Sequence, residues 1–198
     1  MKVYDFILTL FSPILICIGK LGFSFTRKKI NGEHYYKLLD EMCIGTVLLT
    51  KTSGELSNLL TPMSLKHSAI YLGSCLNDNS HYVAEAVGKG VVLTDLVTFM
   101  TTKDVVVACK PVFIRRDKEF FETTLQKETL KFIGLPYDYI FKRGGNSFYC
   151  FELAATALKC VYNELQLRCR EIVKNKRIYD ENTFLDGDFF VKIFDSRD

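Results

Sequence analysis

Histidine is the scarcest of the chemistry-bearing residues in this chain. Only three occur in 198 residues, His34, His67 and His81. The seven cysteines, at 17, 43, 75, 109, 150, 160 and 169, include no CxxC pair and no Cys/His run at zinc-finger spacing. That excludes the common structural zinc modules. The count is odd and most of the thiols sit in apolar runs, which argues against a disulfide framework. Free thiols and a reducing, cytoplasmic compartment are expected. Neither sign of charge dominates: 26 basic against 23 acidic residues leave +3. That balance predicts no nucleic-acid partner, and Arg27-Lys28-Lys29 and Lys174-Asn175-Lys176-Arg177 read as solvated faces. No internal repeat and no low-complexity linker is present. A hydrophobic content of 48% and an aromatic content of 13% of the chain are ample for a core and argue against disorder. A single domain over residues 1–198 is expected, with no cofactor and no metal.

The N-terminal stretch from Phe6 to Gly19 is almost wholly apolar, interrupted by Pro13 and followed by Lys20. It is too short for an ordinary membrane-spanning helix. Asp5 and the sequence Ile18-Gly19-Lys20 fit a cleaved signal poorly. A helix packed on the domain is the favoured reading. A membrane-surface anchor through residues 6–19 and an uncleaved signal-like segment are the alternatives. Residues 1–40 are therefore expected to form an N-terminal helical segment, packed on the core or membrane-associated.

Beyond it the period alternates. Residues 33–41 read as a short amphipathic helix. Apolar, β-branched runs at 44–50, 67–72, 81–87, 91–93 and 105–109 read as strands, with a short helix at 95–100. Residues 118–133 have helical spacing, stopped by Gly134 and Pro136. A loop with Gly144-Gly145 leads to an apolar helix from Phe151 to about Tyr162, and 189–194 reads as a last strand. This order, with strands grouped between helices, implies an α+β fold.

Asn146-Ser147-Phe148-Tyr149-Cys150-Phe151-Glu152 brings a thiol to a helix start. There the dipole and unpaired N–H groups favour the thiolate, so Cys150 is a candidate nucleophile. Such a thiol needs a base and a group to orient it. The hairpin joining the second and third strands, centred near residues 76–77, sets residue 67 opposite 85 or 86. Glu85 thereby becomes a cross-strand neighbour of His67, able to fix its tautomer and raise its basicity. His81, which shares a face with Glu85, is the reserve base, and His34 reads as a surface residue. Glu152 complements the helix dipole. Tyr149 either lines an oxyanion site or packs. The plain alternatives are that Cys150 is a core thiol and that His67 starts a strand in solvent.

At these residues the pattern resembles the circularly permuted branch of the NlpC/P60 papain-like superfamily, in particular its poxvirus members. The likeness runs over residues 44–158. It is carried by Ile44-Gly45-Thr46-Val47-Leu48, His67-Ser68-Ala69-Ile70-Tyr71-Leu72-Gly73, Val83-Ala84-Glu85-Ala86 with Gly90-Val91, and Gly134-Leu135-Pro136-Tyr137 leading to Tyr149-Cys150-Phe151-Glu152-Leu153. The resemblance implies a permuted papain-like fold, an antiparallel sheet or partial barrel packed against helices that include the cysteine helix. It implies Cys150 as nucleophile, His67 as base, Glu85 as orienting residue and Tyr149 as a site-lining residue. It also implies a cysteine-dependent hydrolase or acyltransferase acting on an amide or ester, with a lipid or acylated peptide as a candidate substrate, in a host cytoplasm or virion if the chain is viral. One departure stands out: Phe151 occupies the place of the family's small hydroxylated residue and is expected to narrow the pocket. The rival readings are a non-catalytic papain-like binding module and a membrane-associated structural protein.

Overall fold

The computed structural model describes residues 30–52, 63–76, 78–112, 117–142, 144–173, 176–185 and 188–198. The expectations for the apolar stretch 6–19 lie outside them. Among the described residues no helix is long and apolar enough to cross a membrane.

Six antiparallel strands form one sheet: β1 (Val47–Lys51), β2 (His67–Gly73), β3 (Tyr82–Val87), β4 (Gly90–Asp95), β5 (Val105–Pro111) and β8 (Phe190–Asp195), in the order β4-β3-β2-β1-β5-β8. Its strands are apolar at almost every position because both faces are covered. Val47, Leu49, Ile70, Leu72, Ala84, Ala86 and Val107 belong to one buried cluster. The alternate residues Leu48, Ala69, Tyr71, Val83, Val106 and Ala108 belong to another. Helices α3 (Lys118–Leu130) and α4 (Cys150–Val161) cover the first face, with α4 lying across β2 and β3. Helices α1 (Gly32–Glu41) and α2 (Leu96–Thr101) cover the second, through Leu38, Leu96, Phe99 and Met100. This is the α+β arrangement expected, with the cysteine helix against the sheet.

Three boundaries differ from expectation. The first strand starts at Val47, because Ile44-Gly45 forms a turn in which Gly45 takes φ +93°. The helix beginning at Lys118 closes at Leu130 and leaves residues 131–134 as turns. The third difference is a region that periodicity does not reveal: a hairpin of β6 (Arg170–Val173) and β7 (Lys176–Ile178), followed by the one-turn helix α5 (Glu181–Leu185). The basic run there is not wholly solvated. Lys176 Nζ donates to the Ile140 carbonyl and Arg177 to that of Cys169.

One close approach steers the chain toward the cysteine helix. The start of β4 pairs with the turn after α3, with Val91 N–H to Leu135 O at 2.8 Å and Gly134 N–H to Val91 O at 2.9 Å. Residues 136–138 then run beside Phe148, so the chain enters α4 along a fixed path. Gly90 permits this. Its φ is +113°, and a Cβ there would lie 2.6 Å from the Leu135 carbonyl oxygen. Gly90→Ala is expected to cost at least about 2 kcal/mol, since the left-handed backbone alone is unfavourable for alanine. Thermal unfolding should show Tm lowered by roughly 4–8 °C.

Candidate active site

His67 is the first residue of β2, and Glu85 lies in β3. The register sets Glu85 opposite Ala69 rather than His67, because an irregularity between Tyr71 and Gly73 shifts the hairpin. Glu85 is thus the diagonal neighbour of His67 on the same face. The two side chains are long enough to close that diagonal. Nε2 of His67 and Oε2 of Glu85 are 2.7 Å apart, and the other carboxylate oxygen accepts the Thr94 hydroxyl at 2.7 Å. Thr94 follows the same logic one strand further on, two residues beyond the partner of Glu85 in β4. Both ends of the pair are largely removed from water, with side chains 20% and 8% exposed. The His67 ring lies 6.3 Å from that of Phe99, which in turn carries the Lys103 ammonium 4.9 Å from its centre.

Cys150 arrives from the other side of the sheet as the first residue of α4. Its sulfur lies 4.0 Å from the carbonyl oxygen of Lys66, the residue before His67. The thiol and the imidazole therefore meet where β2 begins. With Nε2 taken by Glu85, Nδ1 is the ring nitrogen left to face sulfur. Burial of the ring works against protonation. Hydrogen bonding to Cys150 and to Glu85 outweighs it and brings the imidazole pKa to about 9. Burial likewise opposes the charge on Glu85, but its bond to His67 and the charges of His67 and Lys103 hold the carboxyl at about 2.

Several residues singled out by the sequence have other places. Tyr149 is fully buried as the N-cap of α4; its hydroxyl accepts the Tyr179 N–H at 2.8 Å and its ring packs on Phe141. Phe151 is 1% exposed and lies in the core, so it does not line an open pocket as its position beside the thiol suggested. His81 Nδ1 shares a 2.6 Å hydrogen bond with the Tyr71 hydroxyl, away from the thiol. His34 Nδ1 accepts the Asn31 N–H in the capping box of α1. Glu152 is buried in the first turn of α4, where Oε1 accepts the Gly144 N–H.

Tyr137 was not anticipated as a functional residue, although it stands in the Gly134–Tyr137 motif. Burial, followed by the charge of Cys150, raises its phenol well above the ordinary range. It is held by the short parallel bridge to Phe148, two residues before the thiol. Tyr149 supplies no side-chain cap to the first turn of α4.

The two shifts fix the sign of the pH response. A raised histidine pKa contributes stability below 6.5 that is lost as pH rises through about 9. A depressed carboxyl pKa contributes stability above 4.5 that is lost as pH falls toward 2. The stability difference between the wild type and Glu85→Gln is therefore expected to peak between 4.5 and 6.5 and to shrink on both sides. Its size at the peak should be on the order of 1–3 kcal/mol, as for a hydrogen bond to a charged partner. Urea unfolding across pH measures it.

A thiol at a helix start, an imidazole on a neighbouring strand and a carboxylate behind it form the constellation of papain-like thiol enzymes, met here with the histidine before the cysteine in the chain. In fold the protein is similar to the crystal structure of metalloprotein yiiX from Escherichia coli O157:H7, with a TM-score of 0.62 and 16% identity over 76% of this chain and 96% of that one. Among the described residues, no three His, Cys, Asp or Glu side chains converge as the ligands of a metal would. No curated protein matches the chain. Residues 42–184 match the family model described as "Permuted papain-like amidase enzyme, YaeF/YiiX, C92 family". That span is most of the sequence, and the chain belongs to this family of permuted papain-like amidases.

Proposed function

We propose that the protein hydrolyses an amide through an acyl-enzyme on Cys150. The observation that carries this reading is the His67–Glu85 bond at 2.7 Å beside the thiol. His67 takes the Cys150 proton on Nδ1 while sulfur bonds to the substrate carbonyl carbon. The carbonyl electron pair moves onto oxygen. The backbone N–H of Cys150 and the Tyr137 hydroxyl supply donors for that oxyanion. When the tetrahedral adduct collapses, the C–N bond breaks and the leaving amine takes the proton from His67. Water then attacks the thioester, again losing its proton to His67. Collapse of the second adduct releases the carboxylic acid and returns the thiol. Glu85 holds the ring in one tautomer and stabilises the imidazolium that both adducts require.

An ester substrate or a second acceptor in place of water would use the same steps, and a lipid or acylated peptide would suit either version. Amide and water are favoured by the family's own description. The narrower likeness to the poxvirus branch of NlpC/P60, and a site of action in a host cytoplasm or virion, rest on the sequence motifs alone. The six cysteines among the described residues are free thiols, which suits a reducing compartment. A membrane contact through residues 6–19 would bring a lipid-linked substrate near.

The test is an acyl-enzyme trap with a panel of acylated amides, read by intact mass. The wild type should gain the acyl mass on Cys150 and lose it with time; Cys150→Ala should gain none. His67→Ala should slow acylation by about 100-fold or more, the scale of a lost general base. Acylation of Cys160, the exposed thiol, at the rate of Cys150 would sink the reading. Tyr137→Phe removes only the hydroxyl. It should lower kcat by roughly 100-fold with little change in KM if that hydroxyl meets the oxyanion.

A further inference from the structure

Residues Tyr179 to Glu181 touch both halves of the site without touching the reacting atoms. Glu181 is 7% exposed, and its carboxylate receives three donors from the chain just ahead of His67. The Ser64 N–H meets Oε1 at 2.9 Å; the Ser64 hydroxyl and the Leu65 N–H meet Oε2 at 2.8 and 2.6 Å. The next residue, Lys66, bonds to β1 through its N–H to Thr50 O at 2.9 Å and presents its own carbonyl to the Cys150 sulfur. Two residues before Glu181, the Tyr179 N–H donates to the hydroxyl of Tyr149, which immediately precedes Cys150. The intervening Asp180 is itself pinned. It accepts the Thr183 N–H and the Arg170 guanidinium, so the segment is tied back to β6. A buried carboxylate that takes three hydrogen bonds on two oxygens fixes the backbone that donates them.

We propose that Glu181 is a positioning residue for the thiol–imidazole couple. It clasps Ser64 and Leu65 so that β2 delivers His67 at the height of Cys150, while Tyr179 ties the same segment to the residue before the nucleophile. The role rests on the catalytic reading above and extends it to a part of the chain that supplies no reacting group. Without the clasp, Ser64 and Leu65 lose the carboxylate that fixes their backbone just ahead of β2, and the gap between ring and sulfur is free to vary.

Alkylation of Cys150 by chloroacetamide reads this geometry without a substrate, with Cys160 as an internal control. Glu181→Ala is expected to slow Cys150 alkylation about tenfold, since small displacements between reacting groups carry penalties of this size or larger. Cys160 should be unaffected. The inflection in the pH profile of Cys150 alkylation should move. By NMR the His67 titration should fall from about 9 toward 6.5, as its bond to Cys150 is lost. A merely structural residue would lower Tm and leave the profile and the titration in place. Glu181→Gln keeps the volume of the side chain. It carries the same expectation at smaller size should the alanine variant fail to fold. Wild-type rate and profile in a folded Glu181 variant, with His67→Ala slowed, would overturn the positioning role alone. A His67→Ala variant alkylated as fast as the wild type would overturn the catalytic reading and this role with it.

Discussion

The hydrogen bond between His67 and Glu85 is the constraint around which the site is organised. A carboxylate and an imidazole this far from water are costly unless each satisfies the other. The fold arranges that by diagonal pairing across two strands, with Thr94 on a third strand occupying the remaining carboxylate oxygen. Three neighbouring strands thus contribute one side chain each, and their register must hold for any of the bonds to form. The packed layers on both faces of the sheet supply that rigidity. The apolar clusters on its two faces are the foundation of a polar pair at its end.

The candidate thiol comes from a different layer. Helix α4 crosses the first face of the sheet and offers Cys150 at its N-terminus, where β2 starts. The couple is therefore formed between two elements that are far apart in the chain and share no hydrogen-bond ladder. Their relative position depends on the packing of α4 against β2 and β3 and on the polar ties through Tyr149, Tyr179 and Glu181. In this permuted chain the histidine precedes the cysteine, and what survives the permutation is this meeting of a helix start with a strand start.

Much of this was legible in the sequence. The five strand runs from Val47 to Cys109 were readable because β-branched and apolar residues are concentrated there, and the cysteine helix because a glycine loop precedes an apolar stretch. The partnership of His67 and Glu85 followed from the turn between them, although a bulge moved Glu85 from the facing to the diagonal position. Tyr137 and Glu181 were not singled out. Neither has a local pattern: Tyr137 lies in a loop threaded past Phe148, and Glu181 follows a short hairpin whose basic residues look like surface. Phe151 misled for a related reason. Its place in the sequence is beside the thiol, but a helix turns about a hundred degrees per residue, and that rotation sends the ring inward.

The close approach of Gly90 to Leu135 has a consequence for the behaviour of the sheet in solution. Strand β4 is an edge, and a bare edge invites pairing with the strand of another molecule. Here the start of that edge already has its partner, the turn of residues 134–135. The cover is the same stretch of chain that leads through Tyr137 and its bridge to Phe148. Protection against edge-to-edge association and the path of the chain into the cysteine helix therefore share one contact. Loosening it would bare the edge and free the entry to that helix together.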